Sequence, residues 1–173
     1  MKKVLILALV AAAWLTTSLS ATTVLYVPLQ KSIQMSDLIL VGHVLKMEGG
    51  YNRAGDVVTK VHLLVEETLK GSVEAGDVFV FDAWGGDVDG VQVEAVGEAK
   101  YRLGDKVLVQ LEDIDGEYHT LGLSFGKWNV RPNRDGVAEA IRSLDDLHMV
   151  GVTEAPIQKI PLQKMRQVVR NPF

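Results

Sequence analysis

The chain has 173 residues, 47% hydrophobic and 23% charged, enough for one globular domain with a core and too apolar for a disordered chain. It holds no cysteine, which excludes disulfides, thiolate metal sites and a cysteine-borne lipid anchor. Its 22 acids outnumber its 18 bases, and no run of lysine and arginine interleaved with aromatics offsets that balance, so nucleic acid is not an expected partner.

Met1, Lys2 and Lys3 give a positive start, residues 4–15 an unbroken apolar run, and Ser18-Leu19-Ser20 small residues at the two positions that signal peptidase reads. The apolar run falls short of the roughly 20 residues that cross a bilayer. Residues 1–20 therefore read as a Sec-type signal peptide cut before Ala21. The mature protein is expected to be periplasmic or secreted, with no membrane segment. Loss of Lys2 and Lys3 takes the basic count from 18 to 16 against 22 acids, a net charge of −6.

Residues 22–27 form a short extended arm. Pro28, followed by Leu29 and Ile33 at i, i+4 spacing, predicts a two-turn helix over 28–35 that ends at Ser36-Asp37. Residues 38–47 (LILVGHVLKM) are apolar on both faces, the pattern of a central strand covered on each side, with Gly42 marking a bulge or a close backbone approach. A turn is expected over 49–55. Residues 57–69 place Val61, Leu63 and Val65 on one face. A helix is the rival reading, because Glu66, Glu67, Leu69 and Lys70 favour one, but a long bent strand is preferred, since barrels need strands that serve both halves of a closed sheet.

Residues 78–83 alternate as a strand should. From 84 to 128 short β-type runs at 91–96, 106–111 and 117–123 are separated by glycine corners at Gly85-Gly86, Asp89-Gly90, Gly104-Asp105 and Asp115-Gly116. A strand over 127–131 stops at Pro132-Asn133, and 137–144 is left between strand and helical turn. Residues 151–161 read as a surface connector. Beyond Pro161, Leu162, Met165, Val168 and Val169 at helical spacing, with Arg166 and Arg170 near the end, predict a helix that caps the barrel. The sum is an all-β domain with minor α: a small OB-like β-barrel over 21–150 with a short N-terminal helix, then a connector and C-terminal helix over 151–173.

Several of these segments together resemble a set of uncharacterised bacterial secreted proteins. The shared pattern is an SDxI strand start with a later glycine (Ser36-Asp37-Leu38-Ile39 to Gly42 and Val44), VEExLKG (65–71), a GGxxxG turn (85–90), an RxGDxV strand (101–111) and GLxxGK with an aromatic (122–128). The first two motifs also look like the N-terminal module of tissue inhibitors of metalloproteinases and of netrins. That resemblance implies an OB-type five-stranded barrel with terminal helices. The inhibitors chelate protease zinc through an N-terminal cysteine, which this chain does not have.

Few side chains point to a reaction. Gly122-Leu123-Ser124-Phe125-Gly126 matches the GxSxG string of a nucleophile elbow, but a strand-like run follows where the elbow needs a helix, so a bulge or turn is expected. Asp87-Val88-Asp89-Gly90 and Asp113-Ile114-Asp115-Gly116 each match part of a calcium loop and read as turns, lacking the further acids at EF-hand spacing. His43, His62, His119 and His148 are scattered; strand pairing offers His43 and His62 as the one two-histidine combination. No catalytic residue, metal or cofactor is expected. The leading expectation is a non-enzymatic binding module for a protein or polymer. Its surface would hold Trp84, Gly85, Gly86, Asp87, Asp89, Gly90 and Trp128, with aromatic rings as a platform. The alternatives are a partner or inhibitor of an exported metalloprotease, and a hydrolase using Ser124.

Overall fold

The computed structural model describes residues 22–171; the signal-peptide reading of residues 1–20 lies outside them. The chain runs β1 (Thr22–Leu25), α1 (Leu29–Met35), β2 (Leu38–Tyr51), β3 (Val57–Lys70), β4 (Val78–Val88), β5 (Val91–Glu94), β6 (Lys106–Ile114) and β7 (Glu117–Thr120). After a 3-10 turn (Leu123–Gly126) come β8 (Lys127–Pro132), β9 (Ala138–Ile141), β10 (Leu147–Val150), β11 (Lys159–Pro161) and α2 (Leu162–Arg170). No helix among the described residues is long and apolar enough to cross a membrane.

Strands β2, β3, β4, β7 and β6 close a ring. β2 lies between β3 and β6, β3 pairs with β4, and β7 bridges β6 to β4. Counted within the ring, the order is first, second, third, fifth, fourth; the third and fifth strands meet parallel through Asp82 and His119, and every other pairing is antiparallel. This is an OB-type closure. The ring can be small because β2 and β3 bend, with register shifts at Ile39/Leu40, Val41/Gly42 and Val44/Lys46. Gly42 is required there: a Cβ would run into the Leu64 carbonyl.

The two-faced run at the start of β2 serves two cores. Leu38, Leu40 and Val44 point into the barrel with Val61, Leu63, Phe81, Val107 and Val109. Ile39 and Val41 point outward beneath both helices, with Leu108, Trp128, Val130, Met165 and Val169. β6 also pairs with β8, from which β9 and β11 extend the sheet beneath α2. The C-terminal helix therefore covers the barrel's side rather than its end, and Arg166 pairs with Glu67 of β3 at 2.8 Å. The Lys70 ammonium closes α1, donating to the carbonyls of Ile33, Gln34 and Ser36.

Other sequence expectations change as well: residues 159–161, expected in a surface connector, form β11, held by antiparallel pairing with β9. β2 runs on to Tyr51, and the turn is 52–56, fastened by Asp56 N–H on Asn52 Oδ1 at 2.7 Å. Residues 147–150, given no structure from sequence, form β10, which pairs parallel with β1 over a third cluster around Tyr26, Phe125 and Leu144. Gly85-Gly86 is not a corner but part of β4.

Candidate functional site

At Trp84 the strand β4 changes partner. Its last pairing with β3 is Trp84 with Val58, and its first with β5 is Gly85 with Glu94. The swing between them uses positive φ at Gly85 (81°) and Gly86 (149°) and leaves no room for a side chain: a Cβ would lie 2.6 Å from the Val93 carbonyl at the first and 2.6 Å from Thr59 Oγ1 at the second. The hairpin then turns at Asp89 (φ 53°) and Gly90 (φ 79°), the two left-handed positions of a type I′ turn. β5 pairs with β4 alone, and all four of its residues are exposed.

The chain returns across the barrel mouth as residues 95–101, an irregular segment tied down from three directions. The Thr22 hydroxyl donates to Val96 O, Ser124 N–H to Gly97 O at 3.0 Å, and the Lys127 ammonium to Lys100 O. The GxSxG string thus belongs to the support of this segment. Leu123–Gly126 is a 3-10 turn running into β8, with no helix after the serine, and the buried Ser124 Oγ has no hydrogen-bond partner.

Between this segment and the hairpin lies an open cleft of about 400 Å³. Ala83, Ala99 and Tyr101 of the barrel core reach it, with Met47; Asp87, Gln92, Glu94 and Lys100 bring polar and charged groups. The Tyr101 phenol is held by Thr120 Oγ1 at 2.8 Å, and burial raises its pKa far above the ordinary range. Glu98 also lines the cleft and is only 7% exposed. Its Oε1 accepts Ala99 N–H at 2.8 Å, while Oε2 is buried with no partner. Burial pushes this carboxyl up to about 7, against the opposing pull of the Ala99 and Trp84 backbone N–H groups.

Of the residues expected to bind ligand, Trp84, Gly85, Gly86 and Asp87 line the cleft. Asp89 and Gly90 form the hairpin tip beyond it. Trp128 is elsewhere: fully buried in the outer core, it donates Nε1–H to Gln110 Oε1 at 3.2 Å and lies 4.1 Å from the Arg142 guanidinium. No aromatic platform joins the two tryptophans. Trp84 is stacked on the buried His119, ring centroids 4.3 Å apart.

The other candidates disperse. His43 meets Glu66 and His62 meets Glu48, each at 2.9 Å, so the two histidines are not paired with each other. In the second aspartate turn, Asp113 Oδ1 accepts Gly116 N–H at 2.6 Å and the Arg53 guanidinium donates to the Asp115 carbonyl at 3.1 Å, which places a cationic side chain where a calcium loop presents free oxygens. Among the described residues no three His, Asp or Glu side chains gather to hold a metal ion.

Sequence reasoning missed Glu98 altogether. Its burial is made by distant segments, and the one local sign is the smallness of Ala95, Gly97 and Ala99 around it; at Gly97 a Cβ would meet the side chains of Leu147 and Thr22. No family model matches the chain, and neither a curated protein nor a solved structure does.

Proposed function

We propose that the protein is an exported, non-catalytic binding module that takes its ligand in the cleft between the β4–β5 hairpin and residues 95–101. The observation that carries this reading is the pairing of an open, 400 Å³ concavity with a buried carboxylate oxygen, on Glu98, that has no partner within the protein. A polar group kept in that condition costs free energy that a bound donor returns. The surrounding construction favours binding over turnover: the cleft walls are strand and pinned loop, and the one serine in a nucleophile-like string lies under that loop with its hydroxyl buried. Export is supported by the positive start and short apolar run of residues 1–20.

The test has two parts. Expression of the full chain with N-terminal sequencing of the exported product is expected to give a start at Ala21. NMR titration of that product with a panel of short peptides and oligosaccharides is expected to move the amides of Gly86, Glu98 and Lys100 with at least one probe, while those of Val130 and Ala140 stay still. A panel whose binders all perturb other surfaces defeats the assignment of the cleft.

A further inference from the structure

Resting on that reading of the cleft, the geometry points to the class of ligand: we propose that it takes the ammonium or guanidinium of a lysine- or arginine-bearing peptide, with Glu98 as the counter-ion. Three independent features converge. The first is the Glu98 carboxylate at the cleft wall: its Oε2 is covered from solvent and makes no hydrogen bond of good geometry, with the Trp84 backbone N–H close by, so a small rotation of the side chain presents it to a ligand donor. A neutral donor would satisfy its geometry, but a cation also answers the charge of the groups around it. These are Asp87 and Glu94 on the hairpin, facing across the cleft, with Lys100 as the single base among the lining residues. The second feature is therefore an acidic excess at the mouth that draws cations and disfavours carboxylate or phosphate ligands.

The third feature is the apolar wall. Met47, Trp84 and Val93, the larger apolar lining residues that keep exposed surface, offer a wall against which the methylene stem of a lysine or arginine packs while its head reaches a polar end. A small inorganic cation would use none of that surface and would find one carboxylate where it needs several oxygens. Lys100 stands two residues after Glu98 in the chain and is exposed, so it remains in water and does not fill the acceptor itself.

The experiment uses the peptide Lys-Lys-Lys, capped at both ends, and the same peptide acetylated on every side chain, titrated by NMR into the protein expressed from the full chain. The charged peptide is expected to shift the cleft amides of Gly86, Glu98 and Lys100. Glu98→Gln is expected to weaken its binding about 10- to 100-fold, the usual consequence of removing a charged hydrogen-bond acceptor. Asp89→Asn, at the hairpin tip outside the cleft, is expected to change it less than about twofold at moderate salt, since exposed charges are screened there. If Asp89→Asn weakens binding as much as Glu98→Gln does, the attraction is diffuse and the counter-ion assignment fails. If the acetylated peptide binds the cleft as well as the charged one, the cation assignment fails and the binding cleft stands. If neither peptide moves a cleft amide, the inference is overturned, and the wider probe panel decides the cleft separately.

Discussion

Glu98→Gln also makes a prediction about stability that needs no ligand. In the folded protein the Glu98 carboxyl titrates near 7, against an ordinary value of 4.5, because burial penalises its charged form. The native state therefore holds this proton more tightly than the unfolded chain. Its favourable contribution is complete below about pH 4.5 and is lost as the pH rises towards 7, above which the native state carries a buried charge. The difference of 2.5 pH units between those values corresponds to about 3 kcal/mol at 1.36 kcal/mol per unit. Glutamine has the shape of the protonated acid and never ionises. The variant should match the parent at pH 4, where the parent carboxyl is protonated, and exceed it by about 3 kcal/mol at pH 8, roughly 6–12 °C in melting midpoint for a domain of this size. Urea unfolding of both proteins at the two pH values measures this as a difference of differences, in which every other titrating group cancels. An offset between parent and variant that stays the same at pH 4 and pH 8 refutes the reasoning.

Other substitutions test the scaffold around the cleft. Gln110→Leu removes the acceptor of Trp128 Nε1–H and the donor to Ser32 Oγ, all within the core, and should cost about 1–3 kcal/mol in urea unfolding. Gly42→Ala drives a Cβ into the Leu64 carbonyl at the bend of β2 and should cost a similar 1–3 kcal/mol, roughly that of overpacking a core. Ser124→Ala removes a buried hydroxyl without a partner and should raise stability by about 1 kcal/mol. The same variant should show the parent's response to a panel of ester substrates; hydrolysis by the parent that the alanine abolishes would restore the hydrolase reading.

Much of the barrel could be read from local pattern because local pattern causes it. The run 38–44 is apolar on both faces because Leu38 and Leu40 fill the barrel while Ile39 and Val41 fill the layer under the helices. Asp89-Gly90 and Asp115-Gly116 are hairpin tips because each puts two successive residues at positive φ. Gly85-Gly86 carries the same local signal, yet what its positive φ does there is move β4 from one partner strand to another, which depends on where β3 ends and β5 begins. Trp128 closes a glycine-rich motif and by local pattern belongs with the binding surface; Gln110 and Arg142, distant in sequence, take it into the core. The β1–β10 pairing joins opposite ends of the chain through strands of four residues each, too short for their pattern to announce a partner. The site was half legible for the same reason. The hairpin side of the cleft is local, whereas the burial of Glu98 is produced by three anchors, at Thr22, Ser124 and Lys127, that no nearby residue encodes.

The most direct measurement is a carbon-13 NMR titration of the Glu98 side-chain carboxyl, alone and with the capped trilysine peptide. The midpoint is expected near 7 in the free protein and lower once the peptide's ammonium reaches Oε2. A midpoint at the ordinary 4.5 that the peptide leaves in place contradicts both the buried, unpartnered acid and the ligand assigned to it.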